Sequence, residues 1–133
     1  MKIIIDNRER ELVKLLKAFS DNNGFNFVIE VEKLDLGDII IKDDNDNTKL
    51  IIERKTISDL AASIRDGRYK EQSYRLNGNS LHNHNIIYLI EGNINQYSER
   101  FTKVKKSAIY TSMFSLNYYK GFSVIRSFSI NET

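Results

Sequence analysis

Three consecutive β-branched residues within Lys2–Ile5 predict a short buried strand at the start of the chain. Leu12, Leu15, Leu16 and Phe19 then recur at helical spacing, which predicts a helix from Arg8 to about Ser20, with Gly24 ending the turn after it. Phe25–Val31 reads as a second strand. Asp38–Lys42 and Thr48–Lys55 read as two more, and the run Asp43-Asp44-Asn45-Asp46-Asn47 between them is turn chemistry, so the pair predicts a hairpin. Ile57, Leu60, Ala61 and Ile64 mark a short amphipathic helix that Gly67 breaks. A further helix is expected from Arg68 to about Leu76, then a polar loop over Asn77–Asn85. Ile86–Ile90 is a continuous apolar run of the kind buried on both faces of a sheet. A helix from Val104 to about Tyr119, Gly121 and a last strand, Phe122–Arg126, complete the pattern. Helices alternate with strands around a hairpin-containing sheet, the pattern of an α/β domain with a mixed central β-sheet flanked by helices.

The hairpin carries the most informative chemistry. Strand side chains alternate between faces, so Ile51, Glu53 and Lys55 share one face and Leu50, Ile52 and Arg54 the other. Glu53 and Lys55 are then about 7 Å apart. Folding about the Asn45–Asp46 turn brings Asp38 opposite Glu53, to within a residue of register, and opposed positions sit about 5 Å apart at Cβ. Two carboxylates that close raise one another's pKa, and a divalent cation removes the conflict. Carboxylates and water are the oxygen ligands Mg²⁺ and Mn²⁺ prefer, so Asp38 and Glu53 are candidate metal ligands. Lys55 beside them can serve a phosphate oxygen or an attacking water. An ordinary surface acid–lysine pair fits the same residues.

Asp6 ends the first buried strand, where functional groups gather in α/β sheets, but Asp6-Asn7-Arg8-Glu9 also fits a capping box. Asp59 has the same ambiguity, three residues after the expected N-cap Thr56. His82 and His84 form an H-x-H in the polar loop with no cysteine or nearby acid to complete a metal site, and read as a solvated loop.

Composition narrows the class. The chain has 133 residues, 41% hydrophobic and 29% charged, which excludes a disordered chain and suffices for one core. It has no cysteine, so disulfides and cysteine-ligated zinc are excluded and a reducing, intracellular compartment is expected. No apolar run approaches the roughly 18 residues of a membrane span, and the acid after the first isoleucines argues against a signal peptide. Twenty basic and 18 acidic residues give +2, so nucleic-acid binding has to come from a local patch. The absence of proline and the abundance of Asn and Ile point to an AT-rich genome.

Taken in order, Asp6-Asn7-Arg8-Glu9, Leu36-Gly37-Asp38, Ile52-Glu53-Arg54-Lys55-Thr56-Ile57-Ser58-Asp59-Leu60 and Asp66-Gly67-Arg68-Tyr69-Lys70-Glu71-Gln72 resemble the XPF-type nuclease domain. Its signature is GD, a variable gap, then ERKxxxD, preceded by DxRE. It is a branch of the restriction-endonuclease-like PD-(D/E)xK superfamily. The resemblance runs over nearly the whole chain. It implies a restriction-endonuclease-like fold and a metal-dependent endonuclease that cuts branched DNA, such as 3′ flaps, forks, bubbles and crossovers, in repair or recombination. It implies Asp38 and Glu53 as ligands of Mg²⁺ or Mn²⁺, Lys55 as the catalytic lysine, and Asp6 and Asp59 as acidic members of the site. Arg8, Arg54, Arg68 and Gln72 would line it. The reading expects a single nuclease domain over residues 1–133, with no helicase and no helix-hairpin-helix domain in this chain, in the nucleus or, for a viral protein, the host cytoplasm.

On such a nuclease, Arg65, Arg68, Lys70 and Arg75 are the first candidates for DNA contact. Lys103, Lys105 and Lys106, with Arg100, are the second, although a solvated helix end fits these too. The last helix carries two apolar columns, Ile109, Met113 and Leu116 beside Tyr110, Phe114 and Tyr118. One would suffice to pack on a sheet. The family resemblance implies dimerisation here, so Ile109, Tyr110, Met113, Phe114 and Tyr118 are expected at an interface with a like or related nuclease-type domain. An aromatic-rich core is the other reading. Two further alternatives stand for the whole chain: a DNA-binding or dimer-partner subunit without turnover, and a sequence-specific nuclease of the same superfamily.

Overall fold

The structure is a computed structural model that describes residues 1–68 and 81–133. Six strands form one sheet: β1 (Lys2–Asp6), β2 (Val28–Glu32), β3 (Ile39–Lys42), β4 (Thr48–Thr56), β5 (Ile86–Glu91) and β6 (Ser123–Ser127). Their spatial order is β2-β1-β3-β4-β5-β6. β3 runs antiparallel to both β1 and β4, whereas β1–β2, β4–β5 and β5–β6 are parallel. The helices are α1 (Arg10–Asn23), α2 (Ile57–Arg65), a single turn α3 (Glu99–Thr102) and α4 (Lys106–Tyr118). The expected mixed sheet flanked by helices is therefore the observed architecture.

The two faces are packed differently. α1 lays Leu12, Val13 and Leu16 against Ile3 and Ile5 of β1, Ile39 of β3 and Ile52 of β4. The larger cluster lies on the other face. There Leu60 and Ala61 of α2 and Ile109, Met113 and Leu116 of α4 pack on Ile51, Ile86, Tyr88, Ile90 and Phe122. Burial of Ile109, Met113 and Leu116 corrects one expectation: Ile109 and Met113 serve this chain's own core and cannot face a partner. Period-3.6 spacing makes the column three residues on from a core residue core as well.

Local differences have local causes. α1 begins at Arg10 rather than Arg8, because Asp6 to Glu9 form a tight turn in which the Glu9 N–H donates to the Asp6 carbonyl at 3.0 Å. β2 begins at Val28 rather than Phe25, because the Phe25 ring stacks on Phe19 of α1, with centroids 5.4 Å apart, and ties that stretch to the helix end. β5 is buried at Ile86, Tyr88 and Ile90 but only partly at Ile87 and Leu89. The turns at Asn83–Asn85, Ile94–Gln96 and Glu99–Thr102 carry little periodicity, and each is capped by a side chain just before it (His82, Asn93 and Ser98). The helix expected from Arg68 to Leu76 lies outside the described residues beyond Arg68, and Lys70, Gln72 and Arg75 with it.

Gly37 is required for the next step. Its φ of +75° is left-handed, and a Cβ there would meet Ile51 Cγ2 at 2.6 Å and the Ile52 carbonyl at 3.4 Å. Only glycine lets the chain turn into β3 this close to β4, which delivers Asp38 to the sheet.

Candidate active site

Ile39 pairs with Ile52 across β3–β4 and with Ile5 across β1–β3. Extending both registers by one residue sets Asp38 opposite Glu53 and Asp6 opposite Asp38. The Asp6 N–H donates to the Asp38 carbonyl in that register, whereas the Asp38 N–H donates to the Ile52 carbonyl, one residue off it, both at 2.8 Å. Strand alternation then puts Asp6, Asp38 and Glu53 in one row on the α2 and α4 face, with Lys55 further along β4. Asp38 stands opposite Glu53 to within a residue of register, as the hairpin arithmetic expects.

Asp38 is half-buried, and Oδ2 accepts a hydrogen bond from the Arg54 backbone N–H at 2.8 Å. Burial pushes its carboxyl up to about 6, against that hydrogen bond and with help from the negative charges of Glu9 and Asp6. Burial pulls the Lys55 ammonium down; the charges of Glu53 and Asp59 oppose this, while that of Arg68 adds to it. The Arg8 guanidinium is held above its ordinary value by its bond to Asp6, and the charges of Asp38 and Glu53 add to the effect. One electrostatic unit thus spans Asp6, Arg8, Asp38, Glu53, Lys55, Asp59 and Arg68.

The members differ in how they are held. Asp6 is fully buried. Its Oδ1 accepts from the backbone N–H and Nε of Arg8, and its Oδ2 from Arg8 Nη2 and the Leu34 N–H. That is a clamp on Arg8 and the Leu34 loop, not the capping box that the same residues also fit. Asp59 is exposed in the first turn of α2, where its N–H donates to Thr56 Oγ1 at 3.1 Å, as the N-cap reading requires. Arg68 is exposed and pairs with Asp66.

Arg54 meets the row through its backbone alone. Its side chain turns to the α1 face, where Nη1 donates to Glu9 Oε2 at 2.9 Å and Nε to Glu91 Oε1 at 3.0 Å, with a second bond from Nη2 to Glu91 Oε2. Glu91 is buried and is also bonded by Thr133 Oγ1 at 2.6 Å. Burial pushes its carboxyl up, but the bonds from Arg54 and Thr133 outweigh that and hold it below its ordinary value. Sequence reasoning missed Glu91. The available signal was position: an acid ending the apolar run of β5, as Asp6 ends β1.

Asp38 and Glu53 supply oxygen donors only, which suits a hard divalent cation that keeps several waters and takes one or two carboxylates. Among the described residues no three His, Cys, Asp or Glu side chains converge elsewhere or here. His82 and His84 pack ring to ring at 4.2 Å, and His82 caps the turn that follows. Of the basic candidates, Arg65 reaches the Thr102 carbonyl at 3.5 Å, so α2 and α3 bring it to Lys103 and Lys105 along a shallow groove floored by Ala108 and Ser112. Lys106 is half-buried, and its N–H is capped by Glu99. On α4, Tyr110, Phe114 and Tyr118 are exposed. No helix among the described residues is long and apolar enough to cross a membrane.

The chain is similar to several known proteins. The chain is 41% identical over 123 residues to a probable crossover junction endonuclease mus81 of Dictyostelium discoideum, covering 88% of this chain and 13% of that protein. It is 31% identical over 141 residues to crossover junction endonuclease MUS81 of Arabidopsis thaliana, covering 98% of this chain and 20% of that one. It is 33% identical over 97 residues to the ERCC4 domain-containing protein EP364R of African swine fever virus (strain Badajoz 1971 Vero-adapted), covering 68% and 27%. The chain therefore spans about a quarter or less of the length of these curated relatives. In fold it is similar to XPF from Aeropyrum pernix, solved in complex with DNA, with a TM-score of 0.74 at 24% identity over 98% of this chain and 58% of that one. The family described as ERCC4 domain matches residues 5–133, and on that match the chain belongs to the ERCC4-domain family.

Proposed function

We propose that this chain is a divalent-metal-dependent endonuclease domain that hydrolyses DNA phosphodiesters at branched structures, such as 3′ flaps, forks, bubbles or crossovers, in repair or recombination. The observation that carries the reading is the opposition of Asp38 and Glu53 across β3–β4 with Lys55 further along the same strand. Family membership and relatives named crossover junction endonucleases support it.

Asp38 and Glu53 hold Mg²⁺ or Mn²⁺, which supplies Lewis-acid stabilisation of charge on the scissile phosphate. The raised carboxyl of Asp38 fits this, because a buried, crowded carboxylate is relieved by a cation. Lys55 places a fixed positive charge on the phosphate or orients the attacking water. Its partial burial strengthens that charge by removing competing solvent. Asp6 holds Arg8 beside the row, and the charges of Glu53 and Asp59 oppose the effect of burial on Lys55. Arg8, Arg68 and Gln72 line the site. Arg65, Lys70, Arg75, Lys103, Lys105 and Lys106 contact phosphates. Tyr110, Phe114 and Tyr118 face a partner, either a second copy or a related nuclease-type domain. Work on DNA puts the protein in the nucleus, or in the host cytoplasm if its source is viral.

A panel of end-labelled flap, fork, bubble, crossover and linear duplex DNAs of shared sequence, with and without Mg²⁺, tests the reading. Cleavage near the branch in Mg²⁺, abolished by EDTA, is expected. Equal cutting of the linear duplex would favour a sequence-specific nuclease, and intact DNA throughout would favour a binding subunit.

A further inference from the structure

In an antiparallel pair, the main-chain donors of one strand meet the carbonyls of the other in a regular ladder. The β3–β4 ladder ends where Asp38 N donates to the Ile52 carbonyl. The next donor of β4 toward that edge is the Arg54 N–H. No β3 carbonyl takes it; the Asp38 carboxylate does, at 2.8 Å. One oxygen of the candidate metal ligand is thus fixed by a main-chain group just past the end of the ladder, which leaves Oδ1 for a cation.

Past the end of that ladder, the Arg54 main chain is still paired, opposite Leu89. β5 pairs with β4 along its other edge. The remaining restraint is the Arg54 side chain, which crosses to the α1 face and ends between two carboxylates from separate elements, Glu9 at the start of α1 and Glu91 at the end of β5. Glu91 bonds the guanidinium at two points and is itself held by Thr133. Bidentate arginine–carboxylate pairs fix geometry as well as charge. The side chains of Arg54 and Glu91 are 15% and 7% exposed, so solvent does not replace a lost partner.

We propose that Glu91 is a positioning residue for the catalytic row: through Arg54 it sets the main-chain N–H that orients the Asp38 carboxylate. This rests on the reading of Asp38 as a metal ligand. Glu91 touches neither DNA nor metal in this account. Its effect resembles that of the outer partners of metal ligands, whose loss typically weakens metal binding by about 10–100-fold.

The test compares the wild-type protein with Glu91→Gln, which keeps the size and removes the charge, and with Glu9→Gln, which loosens the other arm. Three readouts are taken: amide exchange of the Arg54 N–H in metal-free protein, Mn²⁺ affinity by titration, and kcat and KM on the preferred branched DNA. For folded Glu91→Gln we expect faster Arg54 amide exchange, Mn²⁺ affinity lowered about tenfold, and kcat reduced with KM for DNA unchanged. Glu9→Gln should change the same quantities less. Should Glu91→Gln fail to fold, Glu9→Gln decides: wild-type exchange and Mn²⁺ affinity there would overturn the proposal. Wild-type values in folded Glu91→Gln overturn it directly, and so does a loss of thermal stability with unchanged Mn²⁺ affinity. If wild-type protein binds Mn²⁺ and cuts DNA while Glu91→Gln matches it, the positioning role alone falls. If wild-type protein does neither, the nuclease reading falls with it.

Discussion

Arg8 binds both oxygens of the Asp6 carboxylate, Nε to Oδ1 at 2.8 Å and Nη2 to Oδ2 at 3.0 Å, although Asp6 is fully buried and the Arg8 side chain is 74% exposed. The buried end carries the energetic weight. Asp6 also accepts the backbone N–H groups of Arg8 and Leu34, so removing its charge strands several donors at once. Asp6→Asn should destabilise the protein by about 3 kcal/mol, the usual size for breaking a buried charged network on one side. These bonds hold the Asp6 carboxyl well below the usual range. A depressed native pKa adds stability above the unfolded value near 4, and that stability is lost as pH falls through the native value. Urea unfolding of the two proteins should therefore differ widely at pH 7 and converge in strong acid. A constant difference would show that the Asp6 charge is not responsible.

Asp38 has the opposite sign. Burial holds its carboxyl up to about 6. A raised native pKa means the metal-free fold is penalised as pH rises from about 4 to 6, and the penalty, about 3 kcal/mol, is complete above that. Asp38→Asn keeps an oxygen for the Arg54 N–H and sheds the charge. It should be more stable than wild type at pH 7 in EDTA, equal to it below pH 4, and inactive. Saturating Mg²⁺ should stabilise wild type and leave Asp38→Asn unchanged. A less stable Asp38→Asn in EDTA would contradict the burial argument.

Spacing carried the hairpin and the face on which its charged side chains stand. The turn over Asp43–Asn47 and the alternation along β4 fix the Asp38–Glu53 register and the face of Lys55, because a strand's side-chain period is short and rigid. The ladder shifts between Ile41 and Lys42, toward the turn, and at the other end the Asp38 N–H bonds the Ile52 carbonyl, one residue off the Ile39–Ile52 register. What the pattern did not carry were contacts between distant segments. Glu91 and Glu9 converge on Arg54 only because β5 lies beside β4 and α1 crosses the opposite face. No local period encodes that. The same limit explains Asp6, where one local sequence fits a cap and a clamp equally and only the position of Leu34 decides.

Lys55 is half-buried among charges rather than on an open surface. Its single charge acts on one phosphate, whereas DNA affinity sums many phosphate contacts. Lys55→Ala should lower kcat on branched DNA by at least about a hundredfold, as removal of one transition-state donor commonly does, and change Kd by less than about threefold. The slope of log Kd against log salt should fall by no more than about one for this variant. A parallel loss of rate and affinity would make Lys55 an ordinary backbone contact.

The two columns of α4 have separate fates. Ile109, Met113 and Leu116 are buried under the sheet, while Phe114 and Tyr118 are 61% and 68% exposed and stack on each other with centroids 5.4 Å apart and rings inclined by 12°. Tyr110 and Tyr119 extend this surface on the helix, and Phe101 and Ile125 are also exposed. A contiguous aromatic patch on a folded domain marks an interaction site or an aggregation hazard. Because the column is already solvent-facing, Phe114→Glu with Tyr118→Glu should shift stability by no more than about 0.5 kcal/mol per site. If the column meets a second copy, light scattering should show wild type as a dimer and the double variant as a monomer. Cleavage of branched DNA should fall in the variant, while Mn²⁺ affinity at Asp38 and Glu53 stays as in wild type. A wild-type monomer that dimerises with no related domain, or a double variant that remains dimeric, would remove the interface and leave the nuclease reading in place.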